Sequence, residues 1–329
     1  MLINQIAPSA SSQNNSALFE KNGKMYSEDL IIPSSCTSIC KYAYYSCPEI
    51  KSLSISDEVT SIEEYAFYNC TGLTAISLPS NLSSLGESVF WGCSGIKGHV
   101  AIPQNVTTIF RNCFFNCTGI TSVYLPASVI SIENLAFSNC TSLKTVVLTE
   151  GIKIIGYYSF SGCSSLTDIN IPDSVNELKI RAFQNCSSIK TLHIPSSVEI
   201  ITATSSENSL GGCTGLEFVT LGDGFHVSIN LSASIKYSAQ TIADIFNSLY
   251  DFTDTNGEYY GQNATITLGT TNLTKYYTIN GITLAGLSDV YVVFNEETNL
   301  WEVDPTAYFA TEDAKNILEI ATDKGWTVA

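Results

Sequence analysis

Eleven cysteines are the residues of this 329-residue chain whose chemistry most needs an explanation, because thiols form disulfides, bind zinc or act as nucleophiles. Eight of them recur at intervals of 23, 23, 24, 23, 23, 23 and 27 residues, at Cys47, Cys70, Cys93, Cys117, Cys140, Cys163, Cys186 and Cys213. A fixed period of this size is typical of a solenoid, in which equivalent residues of successive turns stack.

Stacking decides between the possible roles of these thiols. Turns about 4.8 Å apart are close enough for disulfides, but parallel side chains that point into a packed core behave as small hydrophobes. Zinc needs ligands that converge, which a line of stacked residues does not provide. We therefore predict a column of buried structural thiols. Cys113 takes the place of a small residue, and Cys36 and Cys40 lie in an imperfect first copy.

No other catalytic pattern accompanies the thiols. The sequence has no phosphate-binding glycine loop followed by lysine and no nucleophile elbow, and His99, His193 and His226 are scattered. Asp254–Glu258 distantly resembles a calcium loop but lacks its ligand spacing, so we favour an Asn-Gly turn there. The sequence predicts a protein without metal or cofactor and without enzymatic activity. A carbohydrate-active enzyme stays open as a third class, which a polysaccharide hydrolysis screen would expose.

The residues around each cysteine repeat with it. An aromatic residue lies three positions before most of them, and aliphatic residues lie three, six and eight positions after, as in Leu143, Val146 and Leu148 after Cys140. The last two predict a short half-buried strand, which a proline often ends. The 24-residue interval places one extra residue near Lys97–His99. A second apolar pair, such as Val129 with Ile132, is predicted to cross the core on the way back.

The position directly before each cysteine predicts a tight turn. It is occupied mainly by Asn or Gly, at Ser46, Asn69, Gly92, Asn116, Asn139, Gly162, Asn185 and Gly212. A backbone held at positive φ selects these two residue types. These residues are therefore expected to shape the turn and to carry no chemistry.

The complete pattern resembles the BspA-like (Treponema-type) leucine-rich repeats, and LPASVISIENLAFSNCTSLKTVVL at Leu125–Leu148 shows it almost in full. The resemblance covers residues 34–222. It implies an α/β repeat fold, a right-handed leucine-rich-repeat solenoid of about eight 23-residue repeats. It also implies a bacterial surface or secreted protein that acts in adhesion and host contact.

The two ends of the chain differ from the repeats. Residues 1–33 are expected to form a tail and a hairpin cap, because Asn22-Gly23 is a typical type I′ turn within Phe19–Ser27. Residues 223–329 are expected to form a small α+β module. Its predicted elements are a helix over 241–252, a strand over 265–268, a hairpin over 290–303, a helix starting at Thr311 and ending before Gly325, and a strand over 326–329.

Within this module, the stretches TLGTTNL and EIATDKGWTVA resemble a C-terminal module of BspA-like surface proteins and of phage-borne structural proteins of gut bacteria. A bacterial surface protein that acts as a non-catalytic adhesin or ligand-binding scaffold is therefore the leading hypothesis. The alternative is a virion- or tail-associated structural or receptor-binding protein of a gut bacteriophage.

Charge and hydropathy exclude two kinds of partner. The net charge is −16, and residues 223–329 alone carry 14 acids and 4 bases, so we expect no binding to nucleic acid. No apolar run approaches the roughly 20 residues of a membrane span. The first residues show no signal peptide, so the extracellular or cell-surface location that the resemblance implies requires either a removed signal or export without one.

The outward side chains of the predicted strands form one candidate binding face. They are mainly Ser and Ala in the early repeats and become larger and more varied later, at Tyr124, Asp168, Asn170, His193 and Phe218. An ordinary solvated sheet is the alternative. If the face binds a ligand, the expected partner is a host or bacterial surface protein or a glycan.

A second candidate surface lies two positions before the cysteines. Tyr45, Tyr68, Trp91 and Phe115 occupy this position in four successive repeats, followed by Ser138 and Ser161. If exposed, the four rings form an aromatic stripe of the kind that marks contact surfaces, including self-association. Mutual stacking that stabilises this half of the solenoid is the alternative.

Overall fold

A computed structural model of the chain describes residues 18–21, 24–198, 200–201, 210–225, 229–230, 244–245, 247–249, 265–267, 277–279, 282–284, 291–295, 300–303, 314–316, 320 and 322–328. The chain divides into two compact units, Met1–Leu166 and Thr167–Ala329. Nothing in this division tests the predicted domain boundaries near residues 34 and 222, which stay predictions.

The first unit consists of short strands that recur once or twice per repeat. They are β1 (Leu18–Lys21), β2 (Lys24–Ser27), β3 (Asp29–Ile32), β4 (Ser38–Ile39), β5 (Ser52–Ile55), β6 (Ser61–Ile62), β7 (Ser84–Leu85), β8 (Gly98–Ala101), β9 (Thr108–Ile109), β10 (Ile120–Leu125), β11 (Ser131–Ile132), β12 (Thr145–Leu148) and β13 (Ile154–Ile155). Apart from the antiparallel hairpin β1–β2, their pairing is parallel, as stacked turns require.

Each regular turn has one longer strand and one two-residue strand. The longer strands pair as β3–β5 and β8–β10–β12, and the short ones as β4–β6–β7 and β9–β11–β13. On β12, Val146 and Leu148 are buried while Thr145 and Val147 are exposed, so the alternation predicted from the sequence is confirmed. The returning pair Val129 and Ile132 is also fully buried, as predicted.

One predicted strand is missing. Ala75–Leu78 forms no strand, although its sequence matches the repeat pattern. It lies one turn before the irregularity predicted near Lys97–His99, where Gly98 has a φ of 81° and the pairing between β8 and β10 shifts register. The parallel pairing of the longer strands is interrupted between β5 and β8.

Two positions in every regular repeat adopt positive φ. One is the predicted Asn/Gly position, where Asn139 has a φ of 60° and Gly162 a φ of 76°. The other lies five residues before the cysteine and was not predicted. Apart from Asn112, it holds residues that disfavour this conformation: Tyr42, Tyr65, Ser88, Leu135, Tyr158 and, in the second unit, Arg181. A bulky residue there costs about 1–2 kcal/mol, which packing must offset.

The core of the first unit is a continuous stack of aromatic rings. Tyr44, Phe67, Phe90, Phe114, Phe137 and Phe160 lie in one column with centroid separations of 5.3–5.6 Å. All six are buried, which confirms the register assigned from the sequence. No single turn buries its ring alone, so each turn depends on its neighbours for stability.

The second unit continues the repeat and then changes architecture. Its strands are β14 (Asp168–Asn170), β15 (Glu177–Leu178), β16 (Thr191–Ile194), β17 (Ile200–Ile201), β18 (Phe218–Leu221), β19 (Ile229–Asn230), β20 (Thr265–Thr267), β21 (Tyr277–Ile279), β22 (Ile282–Leu284), β23 (Tyr291–Asn295), β24 (Leu300–Val303), β25 (Ala314–Asn316) and β26 (Thr327–Val328). Strands β14–β16–β18 form a parallel sheet, and β15 pairs with β17.

The predicted C-terminal elements are largely present. Strand β20 and the hairpin β23–β24 are confirmed, with Phe294 opposite Trp301. Asp244, Ile245 and Asn247 are helical, and the rest of the helix predicted over 241–252 lies outside the described residues. Gly325 has the positive φ expected of a residue that follows a helix, and β26 comes directly after Trp326.

The helix predicted to start at Thr311 is wrong over Ala314–Asn316. Ala314–Asn316 is strand β25, which pairs antiparallel with Tyr291–Val293. Among the described residues of this segment, Ile320, Thr322 and Asp323 are helical. An apolar spacing of three and four residues suits a helix locally, but pairing with the β23 edge overrides that weak preference.

Several predictions fall on other parts of the chain. The N-terminal hairpin is confirmed as β1–β2, with Lys21 opposite Lys24, whereas its role as a cap stays a prediction. Residues 1–16, His226 and Asp254–Glu258 lie outside the described residues. Within the described part, no helix combines the length and hydropathy needed to cross a membrane.

Candidate functional site

The thiol column is buried, and a hydrogen bond to the preceding turn explains why cysteine occupies it. Cys93 Sγ donates to the carbonyl oxygen of Phe67 at 3.0 Å, and Cys117 Sγ to that of Phe90 at 3.0 Å. The same contact recurs in the second unit, between Cys213 and Phe183 at 3.0 Å. An aliphatic residue of similar size would leave this acceptor without its thiol partner.

Burial makes these thiols chemically inert. Loss of hydration raises the pKa of Cys140 and of Cys213 to about 12, although a hydrogen bond from the backbone lowers each somewhat. All eight repeat cysteines are buried, as predicted. Among the described residues, no group of three or more His, Cys, Asp or Glu side chains lies in an arrangement suited to a metal ion. A nucleophilic role would require a thiolate, which this environment disfavours.

The predicted strand-face residues of the second unit lie together in two adjoining rows. The parallel register places Asp168, Thr191 and Phe218 side by side in one row, and Asn170, His193 and Thr220 in the next. The side chains between them along the strands, Ile169, Leu192 and Val219, are buried and fix the outward direction of the six. The face is therefore a rigid grid with one side chain per strand in each row.

Hydrogen bonds between neighbouring strands hold parts of this grid in place. Thr191 Oγ1 donates to Asp168 Oδ1 at 2.9 Å, and His193 Nδ1 lies 2.9 Å from Thr220 Oγ1. Each bond fixes one end of a functional side chain. The other end, Asp168 Oδ2 or His193 Nε2, has no hydrogen-bond partner among the described residues. Such pre-organisation reduces the entropy that binding a ligand would cost.

The six side chains surround a depression of about 280 Å³ whose floor is Ile169 and Leu192. Phe218 forms one wall and is 55% exposed, an unusual position for a phenyl ring on a solvated sheet. An exposed ring on the same sheet face as a carboxylate, an amide, an imidazole and hydroxyl groups provides both apolar contact and directed hydrogen bonds. This combination is typical of a ligand-binding surface. We refer to these six residues as the strand-face site.

Four of the five strand-face residues predicted from the sequence are thus brought together. The fifth, Tyr124, lies in the first unit, where it is opposite Ala101 on one side and exposed Val147 on the other. The sequence places Thr191 and Thr220 in the same outward rows but does not single them out as binding residues, because two threonines on a strand carry no distinctive signal. Only their hydrogen bonds to Asp168 and His193 show that they belong to the site.

The four rings of the aromatic stripe stack on one another, which is the arrangement given in the sequence analysis as the alternative to an exposed surface; their role in contacts stays a prediction. Centroids of successive rings are 4.7, 4.4 and 5.5 Å apart from Tyr45 through Tyr68 and Trp91 to Phe115, with interplanar angles of 5–10°. Tyr45 is 40% exposed, while the other three rings are half-buried. The faces of Tyr68 and Trp91 are covered by neighbouring rings, so these two present mainly their edges.

A second pair of tyrosines extends the stripe and was not predicted. Tyr42 and Tyr65 stack at 5.1 Å, and they meet Tyr45 and Tyr68 at 5.6 and 5.8 Å. Lys41 Nζ lies over both added rings and forms an ion pair with Glu64. The stripe is replaced in later turns by buried Ser138, whose hydroxyl donates to the Ser161 carbonyl at 3.1 Å.

The fold and the site together define a parallel solenoid that presents side chains from its strand face. Residues 15–140 and 98–217 match the family described as BspA type leucine rich repeat region, in six copies, so more than half of the chain is matched. The chain belongs to this family of leucine-rich-repeat proteins, and the resemblance found in the sequence is confirmed. Its solenoid has about eight turns.

Solved structures of similar proteins come from several bacteria. A leucine rich cell surface protein from Faecalibacterium prausnitzii is 27% identical over 58% of this chain, with a TM-score of 0.40, and the match spans 59% of that protein. A leucine-rich repeat protein from Bacteroides ovatus is 18% identical over 77% of this chain and 80% of its own, with a TM-score of 0.40. The Treponema pallidum leucine rich repeat protein is 20% identical over 67% of this chain and 88% of its own, with a TM-score of 0.33. A comparison with curated proteins gave no match.

Proposed function

We propose that this protein is a cell-surface or secreted bacterial adhesin that binds a protein or glycan partner without catalysis, and that the strand-face site makes the contact. The observation that carries the proposal is the exposed Phe218 ring on the same face of a rigid sheet as hydrogen-bonded Asp168 and His193. Membership of a family that includes cell surface proteins supports the location.

The inert chemistry of the repeats favours binding over catalysis. The thiols are buried and bonded to carbonyl groups, and the polar groups of the strand-face site lie on an open surface that does not exclude water. General acid–base catalysis works best in an enclosed site, where water is displaced and pKa values shift. The site is therefore suited to holding a partner.

The test uses a panel of immobilised extracellular-matrix proteins and mucin glycans. Purified wild-type protein is expected to bind at least one member, and Phe218→Ala and His193→Ala are each expected to weaken that binding. Losing a central interface residue commonly costs more than 1 kcal/mol, which is about five-fold or more in Kd.

Two variants on the first unit serve as matched controls. Phe110→Ala removes an aromatic ring that is also exposed, and Ser54→Ala changes an outward residue of an early strand. Both are expected to bind like the wild type. Equal binding by all four variants would remove the strand-face site from the mechanism of adhesion.

The aromatic stripe is proposed as a second contact surface, through which a partner protein or another copy of this chain binds. The exposed edge of Tyr45 and the neighbouring Tyr42, Tyr65 and Lys41 provide an apolar, hydroxyl-bearing surface. Tyrosine is enriched at protein interfaces for this combination of properties.

A further inference from the structure

We infer that the strand-face site binds an arginine side chain of a partner protein, with the alkyl stem against Phe218 and the guanidinium group on Asp168 and Asn170. This inference rests on the proposed function and specifies the partner's chemistry. It follows from the charge of the site, the distance between its walls and the geometry of its acceptors.

The charge of the site selects a cationic ligand. Among the described residues that line the depression, Asp168 is the one carboxylate and none is lysine or arginine. Only Oδ1 of Asp168 accepts a hydrogen bond within the described part of the chain, so Oδ2 is available to a ligand. The chain as a whole carries a net charge of −16, which attracts cations and repels anionic glycans.

The distance between the walls suits a long side chain. Phe218 and Asp168 lie on strands separated by β16, so their Cα atoms are about 10 Å apart at the usual strand spacing. Thr191 lies between them and is too short to fill the gap. The three methylenes of an arginine can cover Thr191 and contact the exposed ring of Phe218, while the charged group reaches Asp168.

The arrangement of acceptors distinguishes arginine from lysine. Asp168 and Asn170 are two residues apart on one strand and point to the same face, about 7 Å apart at their Cα atoms. Neither the Asn170 amide nor Asp168 Oδ2 has a hydrogen-bond partner in the part of the chain that the structure describes. A planar guanidinium group, with five N–H donors, can bond both acceptors at once, whereas an ammonium group is a point charge.

The experiment measures binding of three short peptides by isothermal titration calorimetry to the full chain. They are acetyl-Gly-Arg-Gly-amide, the same peptide with lysine, and the same peptide with citrulline, which has the shape of arginine without its charge. The arginine peptide is expected to bind, the lysine peptide several-fold more weakly and the citrulline peptide not measurably. Asp168→Asn is expected to weaken the arginine peptide about ten-fold or more.

Glu58→Gln is the matched control, because it removes one negative charge from an exposed turn of the first unit and keeps the side-chain shape. This variant is expected to bind the arginine peptide like the wild type. Equal loss in Asp168→Asn and Glu58→Gln would show a general charge effect and overturn the inference. Equal affinity for arginine and citrulline would overturn it as well.

The panel assay separates failure of this inference from failure of the proposed function. If Phe218→Ala loses panel binding but neither the arginine peptide nor Asp168→Asn changes it, the inference fails and the adhesin proposal stands. Binding of methyl glycosides that does not depend on Asp168 would likewise assign the site to a neutral sugar. If Phe218→Ala and His193→Ala bind the panel like the wild type, the proposed function itself fails.

Discussion

Removal of the Phe137 ring is the most informative perturbation of the fold. The side chain is completely buried and stacks on Phe114 and Phe160, each with a centroid separation of 5.3 Å. Phe→Ala substitutions in cores cost about 3–5 kcal/mol. Two ring contacts, each contributing about 0.5–1.5 kcal/mol, place Phe137→Ala near the upper end, at about 5 kcal/mol.

Urea unfolding followed by circular dichroism measures this loss. With a denaturant slope of about 2 kcal/mol/M, the transition midpoint is expected to fall by about 2–3 M, or the variant will be unfolded in buffer. Phe110→Ala, which removes an exposed ring from the same unit, is expected to cost less than about 1 kcal/mol. Equal midpoints for the two variants would refute the stacked register.

Three more predictions concern the thiols, the turns and the stripe. Burial raises the folded-state pKa of Cys140 to about 12 from 9.0, so its contribution to stability is complete below pH 9 and is lost as the pH rises toward 12. Cys140→Ala should therefore reduce the slope of the unfolding free energy against pH in this window. An unchanged slope would contradict the assignment of Cys140 as a buried thiol. Gly162→Ala should lower the free energy of unfolding by at least about 1–2 kcal/mol, because φ is 76° and the new Cβ would clash with the Asn139 amide. A melting temperature equal to that of the wild type would mean that the turn adapts. The double variant Trp91→Ser, Phe115→Ser should lower the free energy of unfolding by about 1–3 kcal/mol through lost ring contacts. It should also abolish any self-association of the wild type seen by sedimentation. Unchanged sedimentation would leave the stripe a purely stabilising feature.

The sequence predicts the repeat well where one residue type answers one physical demand. Asn139 and Gly162 share a position because few other residues tolerate positive φ, and the cysteine and phenylalanine columns follow from burial. The second positive-φ position could not be found in this way. It is occupied by Leu135 and Arg181 among others, so the tertiary packing of the turn imposes the conformation against local preference.

Prediction also failed where pairing between distant segments overrides local pattern. Ala75–Leu78 has the residues of a strand but forms none, next to the turn that carries the extra residue. Ala314–Asn316 has helical spacing, but the edge of β23 recruits it into a sheet. At the strand-face site, the change from Ser and Ala to Asp168, His193 and Phe218 was visible in the sequence. The hydrogen bonds that orient two of these side chains depend on register and required the structure.

Hydroxyl-radical footprinting of the protein bound to its panel partner tests the central claim most directly. Phe218 is 55% exposed and Phe110 is 37% exposed, so we expect both rings to be oxidised measurably in the unbound protein. Saturation with the partner is predicted to protect Phe218 and His193 while leaving Phe110 unchanged. Protection of Phe110 or Tyr45 with continued oxidation of Phe218 would contradict the assignment of the strand-face site.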